Sequence, residues 1–111
     1  MKFQENGKNP MYDFQGKTLV LTGTNGGIGR EVAKLFLASG ANMVLTDLDE
    51  AGLLAFADTL DGGIGRVAVL RMDAANPEDA QKAVAAATTR FGGIDFLVPS
   101  AGLYQTQPVQ T

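Results

Sequence analysis

The run Thr22-Gly23-Thr24-Asn25-Gly26-Gly27-Ile28-Gly29 restricts the fold of this chain more than any other stretch. Before it stands Thr18-Leu19-Val20-Leu21-Thr22, an apolar, β-branched run bounded by Gly16 and Gly23. Such a run without polar alternation suits a strand buried on both faces. After it, Ile28, Val32, Leu35 and Phe36 fall on one helical face, and Ser39-Gly40 supplies a stop. Strand, glycine turn and helix together have a physical use. Gly23 permits the tight turn, Gly27 lets backbone approach a pyrophosphate, and Gly29 lets the helix pack closely on the strand. The helix N-terminus then presents its amides to the anion. The plainer alternative is an ordinary βα turn with permissive glycines. A triphosphate-binding loop is excluded, because Gly16-Lys17-Thr18 precedes the strand and Met11 stands where the leading glycine is needed.

The same alternation continues. Met43-Val44-Leu45 reads as a second buried strand ending at Asp47, and Leu53, Leu54, Ala57 and Leu60 mark a helix capped by Asp49 and broken by Asp61-Gly62-Gly63. Val67 to Leu70 is a third strand, ending at Asp73. A third helix opens with Asn76 as cap, Pro77 at its first position, and Glu78 and Asp79 in its first turn. Its expected apolar face is Ala80, Val84, Ala87 and Phe91; Gly92-Gly93 ends it, and Ile94 to Val98 form a fourth strand. Strands alternating with helices predict an α/β fold, a doubly wound parallel sheet with strand order 3-2-1-4, truncated after the fourth strand. Residues 1–13 read as a loose N-terminal tail, an extension upstream of a natural start at Met11, and 14–111 as a partial dinucleotide-binding domain.

Composition narrows the function classes. The net charge is −3 and no basic residues adjoin, so no nucleic-acid or anionic-membrane partner is expected. Cysteine and histidine are both absent, which removes disulfides, thiolate metal sites, the cysteine nucleophile and the commonest general base. No metal is expected. No stretch approaches the roughly 20 apolar residues of a membrane span, and Met1 to Asp13 lack a signal-peptide core. A cytoplasmic location is the expectation.

The spacing T-G-x-x-x-G-I-G resembles the short-form short-chain dehydrogenase/reductase family rather than the longer-chain dehydrogenases with G-x-G-x-x-G. Phe14-Gln15-Gly16-Lys17 before the first strand and Phe91-Gly92-Gly93-Ile94-Asp95 before the fourth are similar to stretches common in that family. The resemblance runs from about Phe14 to Gly102. It implies that Gly23, Asn25, Gly27, Ile28 and Gly29 cradle a cofactor pyrophosphate, that Asp47 and Leu48 hold a ribose, and that Asp73 and Ala74 meet the adenine. Ala101 and Gly102 would lie against the nicotinamide-side ribose. Asp47, Asp49 and Glu50 would repel a 2′-phosphate, and no basic residue occurs from Thr24 to Gly26 or from Thr46 to Glu50, so NAD is expected in preference to NADP. Arg30, beyond the last glycine, is expected to point along its helix.

Two departures stand out. Pro99-Ser100-Ala101-Gly102 occupies the place of the family's Asn-Asn-Ala-Gly, which puts the contacts of those two asparagines in doubt. The family's catalytic Tyr-x-x-x-Lys has no match either, since Tyr12 and Tyr104 are followed four residues later by Gly16 and Pro108. No residue of this chain is expected to be catalytic. The resemblance implies an intact parent, a homo-oligomer, moving a hydride between NAD and a small alcohol or ketone. The alternative is a non-catalytic nucleotide-binding module. Exposed apolar surface is expected along Phe96, Val98 and the Leu103-Tyr104 region.

Overall fold

In a computed structural model of the chain, the described residues are 12–60 and 65–100. Seven elements alternate along them: β1 (Thr18–Thr22), α1 (Gly27–Ala38), β2 (Asn42–Asp47), α2 (Glu50–Asp58), β3 (Val67–Arg71), α3 (Pro77–Phe91) and β4 (Phe96–Pro99). The four strands form one parallel sheet in the order β3-β2-β1-β4. This is the doubly wound arrangement that the strand–helix alternation predicts.

Alternation along each strand sorts the core into two layers. Leu19 and Leu21 of β1, with Met43 and Leu45 of β2, face α1 and α2 through Ala33, Leu37, Leu53 and Phe56. Val20 and Val44 point the other way, onto Ala83 and Ala87 of α3 and onto Met72. Every residue of β1 is buried, which accounts for its unbroken apolar reading.

The helix starts and stops stand where the sequence signals them. The Asn76 side chain accepts the Glu78 amide at 2.9 Å, Pro77 opens α3, and Gly92 closes it at φ +88°. Asp49 caps α2 by accepting the Gly52 amide at 3.1 Å. The buried faces are another matter. In α1 the line toward the sheet is Gly29, Ala33 and Leu37, with Val32 and Phe36 half-buried, whereas Ile28 and Leu35 are each 42% exposed. In α2 Phe56 is buried and Leu54 exposed; in α3 Ala83 and Ala87 are buried while Ala80 and Val84 face water. Close approach explains α1 and α3: a helix lying tightly on a sheet presents its smallest residues to it, and size-weighted periodicity picks the wrong line.

Packing starts ahead of the expected domain edge. The rings of Tyr12, Phe14, Phe36 and Phe96 stack or tilt against one another at centroid separations of 4.9–5.4 Å. Phe14 donates its amide to the Ser39 carbonyl at 2.7 Å, and Arg66 Nη1 donates to the Ala41 carbonyl at 2.9 Å just past the C-terminus of α1. A cation there also suits the negative end of the helix.

The exposed leucine of β4 is Leu97, not its neighbours. Phe96 and Val98 pack against the α1/α2 core, while Leu97 pairs in register with Val20 and is 63% exposed. The reason is the pleat: Leu97 lies on the face covered, among the described residues, by α3 alone. Leu103 and Tyr104 lie outside the described residues.

Asp95 fastens the start of β4 to that of β1. Its carboxylate accepts the Thr18 amide at 2.9 Å, and its own amide donates to the Thr18 carbonyl at 2.9 Å. Replacing Asp95 by Ala should lower unfolding stability by about 1–3 kcal/mol, the range for a hydrogen bond to a charged group. Urea denaturation followed by circular dichroism measures it, and Asp95→Asn, whose amide oxygen can still accept the Thr18 amide, should recover part of the loss.

Candidate dinucleotide site

In a parallel sheet the strand ends gather at one edge. Here the C-terminal ends of β1, β2, β3 and β4 bring together the Gly23–Gly26 turn, Leu48-Asp49, Asp73-Ala74 and Ser100. Chain order reverses between β1 and β4, the position where open α/β sheets form a crevice.

The first turn is built by backbone. Gly23 takes φ +68°, a conformation that strains other residues, and the Gly26 amide donates to the Gly23 carbonyl at 3.2 Å. A Cβ on Gly29 would lie 2.4 Å from the Gly23 carbonyl oxygen and 2.9 Å from Thr24 Cα, so α1 seats against the turn only through glycine. Thr24 and Thr46, neither singled out from the sequence, secure this seat. The Thr24 amide donates to the Thr46 carbonyl at 3.1 Å, and the Thr46 hydroxyl donates to the Leu21 carbonyl at 2.8 Å, both side chains being fully buried. Their signal was faint: a threonine inside or next to an apolar run.

Helix α1 begins directly after this turn. Its cap residue is Gly26, extended at φ −73°, ψ 164°; no side chain caps it and its first turn holds no acid. Gly27 and Ile28 are exposed there. Helix N-termini carry a partial positive charge that suits phosphate groups. Arg30 does not turn toward it, since its guanidinium lies 5.2 Å over the Phe56 ring of α2.

Asp47 sits between the first and second turns. One carboxylate oxygen accepts the Asn25 amide at 2.9 Å and the other accepts the Asp49 amide at 3.2 Å. A carboxylate offers about four lone-pair directions, so acceptor capacity is left for hydroxyl groups. Leu48 beside it is 55% exposed. Asp73 is half-buried and shapes its own turn: its Oδ1 accepts the Ala75 amide at 2.9 Å, and its amide donates to Asp79 Oδ2 at 2.9 Å. Ala74 is exposed beside it. The Met72 amide donates to the Asp47 carbonyl at 2.9 Å, which joins this turn to the end of β2.

Ser100 takes up part of the bracing left in doubt by the missing asparagines. Its side chain is buried, and its hydroxyl donates to the carbonyls of Thr22 and, at 3.1 Å, Gly23. Pro99 is the last residue of β4, where its missing N–H breaks no ladder beyond it. Ala101 and Gly102 lie outside the described residues. Among the described residues no cluster of three or more acids could hold a metal ion, and no helix is long and apolar enough to cross a membrane.

The short chain dehydrogenase family model matches residues 17–111. The chain belongs to this family of oxidoreductases. A glucose/ribitol-type short-chain dehydrogenase/reductase from Brucella melitensis is 62% identical with a TM-score of 0.81, the match covering 87% of this chain and 40% of that one. A short chain dehydrogenase/reductase from Burkholderia phymatum, solved in complex with NAD, is 36% identical with a TM-score of 0.71, covering 78% of this chain and 31% of that one. The 2,5-dichloro-2,5-cyclohexadiene-1,4-diol dehydrogenase of Sphingobium indicum is 40% identical over 99 residues, which are 84% of this chain and 38% of the relative. The chain therefore spans between about a third and two fifths of the length of these relatives.

In this short-chain dehydrogenase domain the glycine seat should be the least replaceable contact. Gly29→Ala forces backbone apart, because the atoms it meets are a carbonyl and a Cα. We expect a loss of about 1–3 kcal/mol, as for overpacking in a close-packed interior. Thermal unfolding measures it, and an unchanged melting temperature would contradict the close approach.

Proposed function

We propose that this chain is the NAD-binding portion of an oxidoreductase that transfers a hydride between a nicotinamide cofactor and an alcohol or ketone. The observation that supports it best is that α1 begins at a glycine cap with no acid in its first turn, beside the Asp47 carboxylate. In this reading Gly23, Asn25, Gly27, Ile28 and Gly29 form the cradle for the pyrophosphate. Asp47 and Leu48 hold the adenosine ribose, Asp73 and Ala74 the adenine edge, and Ala101 and Gly102 the nicotinamide-side ribose. When bound, the nicotinamide ring supplies the hydride acceptor or donor. The chain's own residues bind and orient the dinucleotide.

NAD is the expected form. Solved relatives hold NAD or NADP, so family membership alone does not choose. The choice rests on charge: Asp47, Asp49 and Glu50 cluster at the ribose end, and the nearby cation, Arg30, is engaged on Phe56. A 2′-phosphate would bring like charges together in a partly buried place. The substrate class rests on the relatives, whose names specify a diol and a sugar or polyol as the groups they oxidise. Within the same reading the whole protein is cytoplasmic and homo-oligomeric.

A non-catalytic nucleotide-binding module is the second reading, favoured by one observation: no Tyr-x-x-x-Lys occurs in the 111 residues. Either way this chain by itself should bind without turnover. Calorimetric titration should give a smaller Kd for NAD than for NADP, and equal or tighter NADP binding would overturn the role given to Asp47. Gly27→Val should abolish binding and leave the circular dichroism spectrum unchanged, since residue 27 is exposed at the helix start. Undiminished NAD binding by that variant would make the glycine purely structural. NAD-linked turnover of an alcohol by the repurified chain would show that a catalytic group has been missed.

A further inference from the structure

Asn25, Asp47 and Asp49 close a ring of hydrogen bonds between the first and second turns. The Asn25 and Asp49 amides donate to the two oxygens of Asp47, and Asn25 Nδ2 donates to the Asp49 carbonyl at 3.1 Å. The Asn25 side-chain oxygen is buried and has no hydrogen-bond partner. Turning the amide over would set this oxygen against the Asp49 carbonyl, acceptor on acceptor, so the ring holds only in the donating orientation. A buried acceptor left unsatisfied costs stability, and a side chain kept in such a place calls for a reason.

The ring has room because residue 52 is glycine. A Cβ there would lie 2.6 Å from Asp49 Oδ2 and 3.2 Å from Asn25 Nδ2. Gly52 lies inside α2 and does not have a positive φ, so its backbone conformation does not demand glycine. Glycine in a helix is otherwise a poor choice. What it provides is space for the Asn25 and Asp49 side chains, and Asn25 Nδ2 ties together the two turns whose backbone amides hold Asp47.

We propose that Asn25 and Gly52 set the cofactor preference indirectly, by fixing the Asp47 carboxylate in the orientation that accepts ribose hydroxyls and repels a 2′-phosphate. This rests on the dinucleotide reading above. Asn25 acts here as a positioning residue through its side chain, and Gly52 acts only through the volume it leaves empty. A methyl group at residue 52 collides with the movable ends of Asp49 and Asn25, not with backbone, so the fold survives while the ring opens.

The test is titration of the full 111-residue chain, Gly52→Ala and Asn25→Ala with NAD and with NADP, each protein first checked by circular dichroism. Asn25→Ala removes the amide donor without adding charge, so it opens the same ring from the other side. In both variants the ratio of NAD to NADP affinity should fall about tenfold, the effect of one lost hydrogen bond to a charged group. A merely structural role would weaken both cofactors together and leave the ratio alone. An unchanged ratio in either folded variant overturns the proposal while leaving the dinucleotide reading intact. A parent chain without preference for NAD overturns the role given to Asp47, and the proposal with it.

Discussion

The carbonyl oxygen of Gly23 occupies the place that a side chain on residue 29 would need. The ideal Cβ of that residue would be 2.4 Å from it, well inside contact distance, and no rotamer relieves a collision between backbone and Cβ. The axis of α1 follows from this single approach. With Gly29 against the turn, the residues four and eight positions on, Ala33 and Leu37, must meet the sheet, and Ile28 and Leu35 must turn away. The helix then begins at the mouth of β1, with its first amides directed past the strand end. A turn made this way owes little to side chains, which is why glycines mark it.

β1 is the strand to which the rest is tied, and most of the ties at its C-terminal end are side-chain hydroxyls. Thr24 and Thr46 both donate to the Leu21 carbonyl, and Ser100 donates to those of Thr22 and Gly23. At the other end Asp95 accepts the Thr18 amide. Polar groups buried among apolar strands are costly unless paired. Paired in this way, they pin β2 and β4 to β1 at the level where the turns leave the sheet. Register and site geometry are therefore set by the same bonds.

Helix caps and the glycine turn were legible in the sequence because each depends on a local rule, and the strand order because alternating βα units join parallel strands by right-handed crossovers. Pro77 after Asn76, or a glycine forced to positive φ as at Gly23, works through neighbours one to three residues away. Helix faces were less legible. Val84 and Leu35 satisfy a periodic pattern as well as Ala83 or Ala33 do, and only the distance between helix and sheet favours the small residue. The same holds for Ser100. Its sequence position showed a departure from the family's asparagines, but its reach to Thr22 and Gly23 depends on where β4 ends. Gly52 was illegible for a third reason: its role exists only between two turns separated by a strand and a helix.

The two faces of the sheet are not covered alike, and this bears on how the site holds together. The α1/α2 face gathers Leu19, Leu21, Met43, Leu45, Leu53 and Phe56, whereas the α3 face rests on Val20, Val44, Met72 and two alanines. Leu97 on that second face remains mostly in water, forgoing about 1.5–3 kcal/mol that full burial of a leucine contributes. The Gly23 turn and Asp47 end strands at the centre of the sheet, under well-packed helices. β4 pairs only with β1 among the described residues and lacks that cover over Leu97. Packing alone would let the end of β4 move apart from the turn beside it. The Ser100 hydroxyl opposes this at the point where it matters, because its two acceptors are the last carbonyl of β1 and the first of the turn. A small polar residue thus does by hydrogen bonding, at the edge of the candidate site, what apolar burial does for the rest of it.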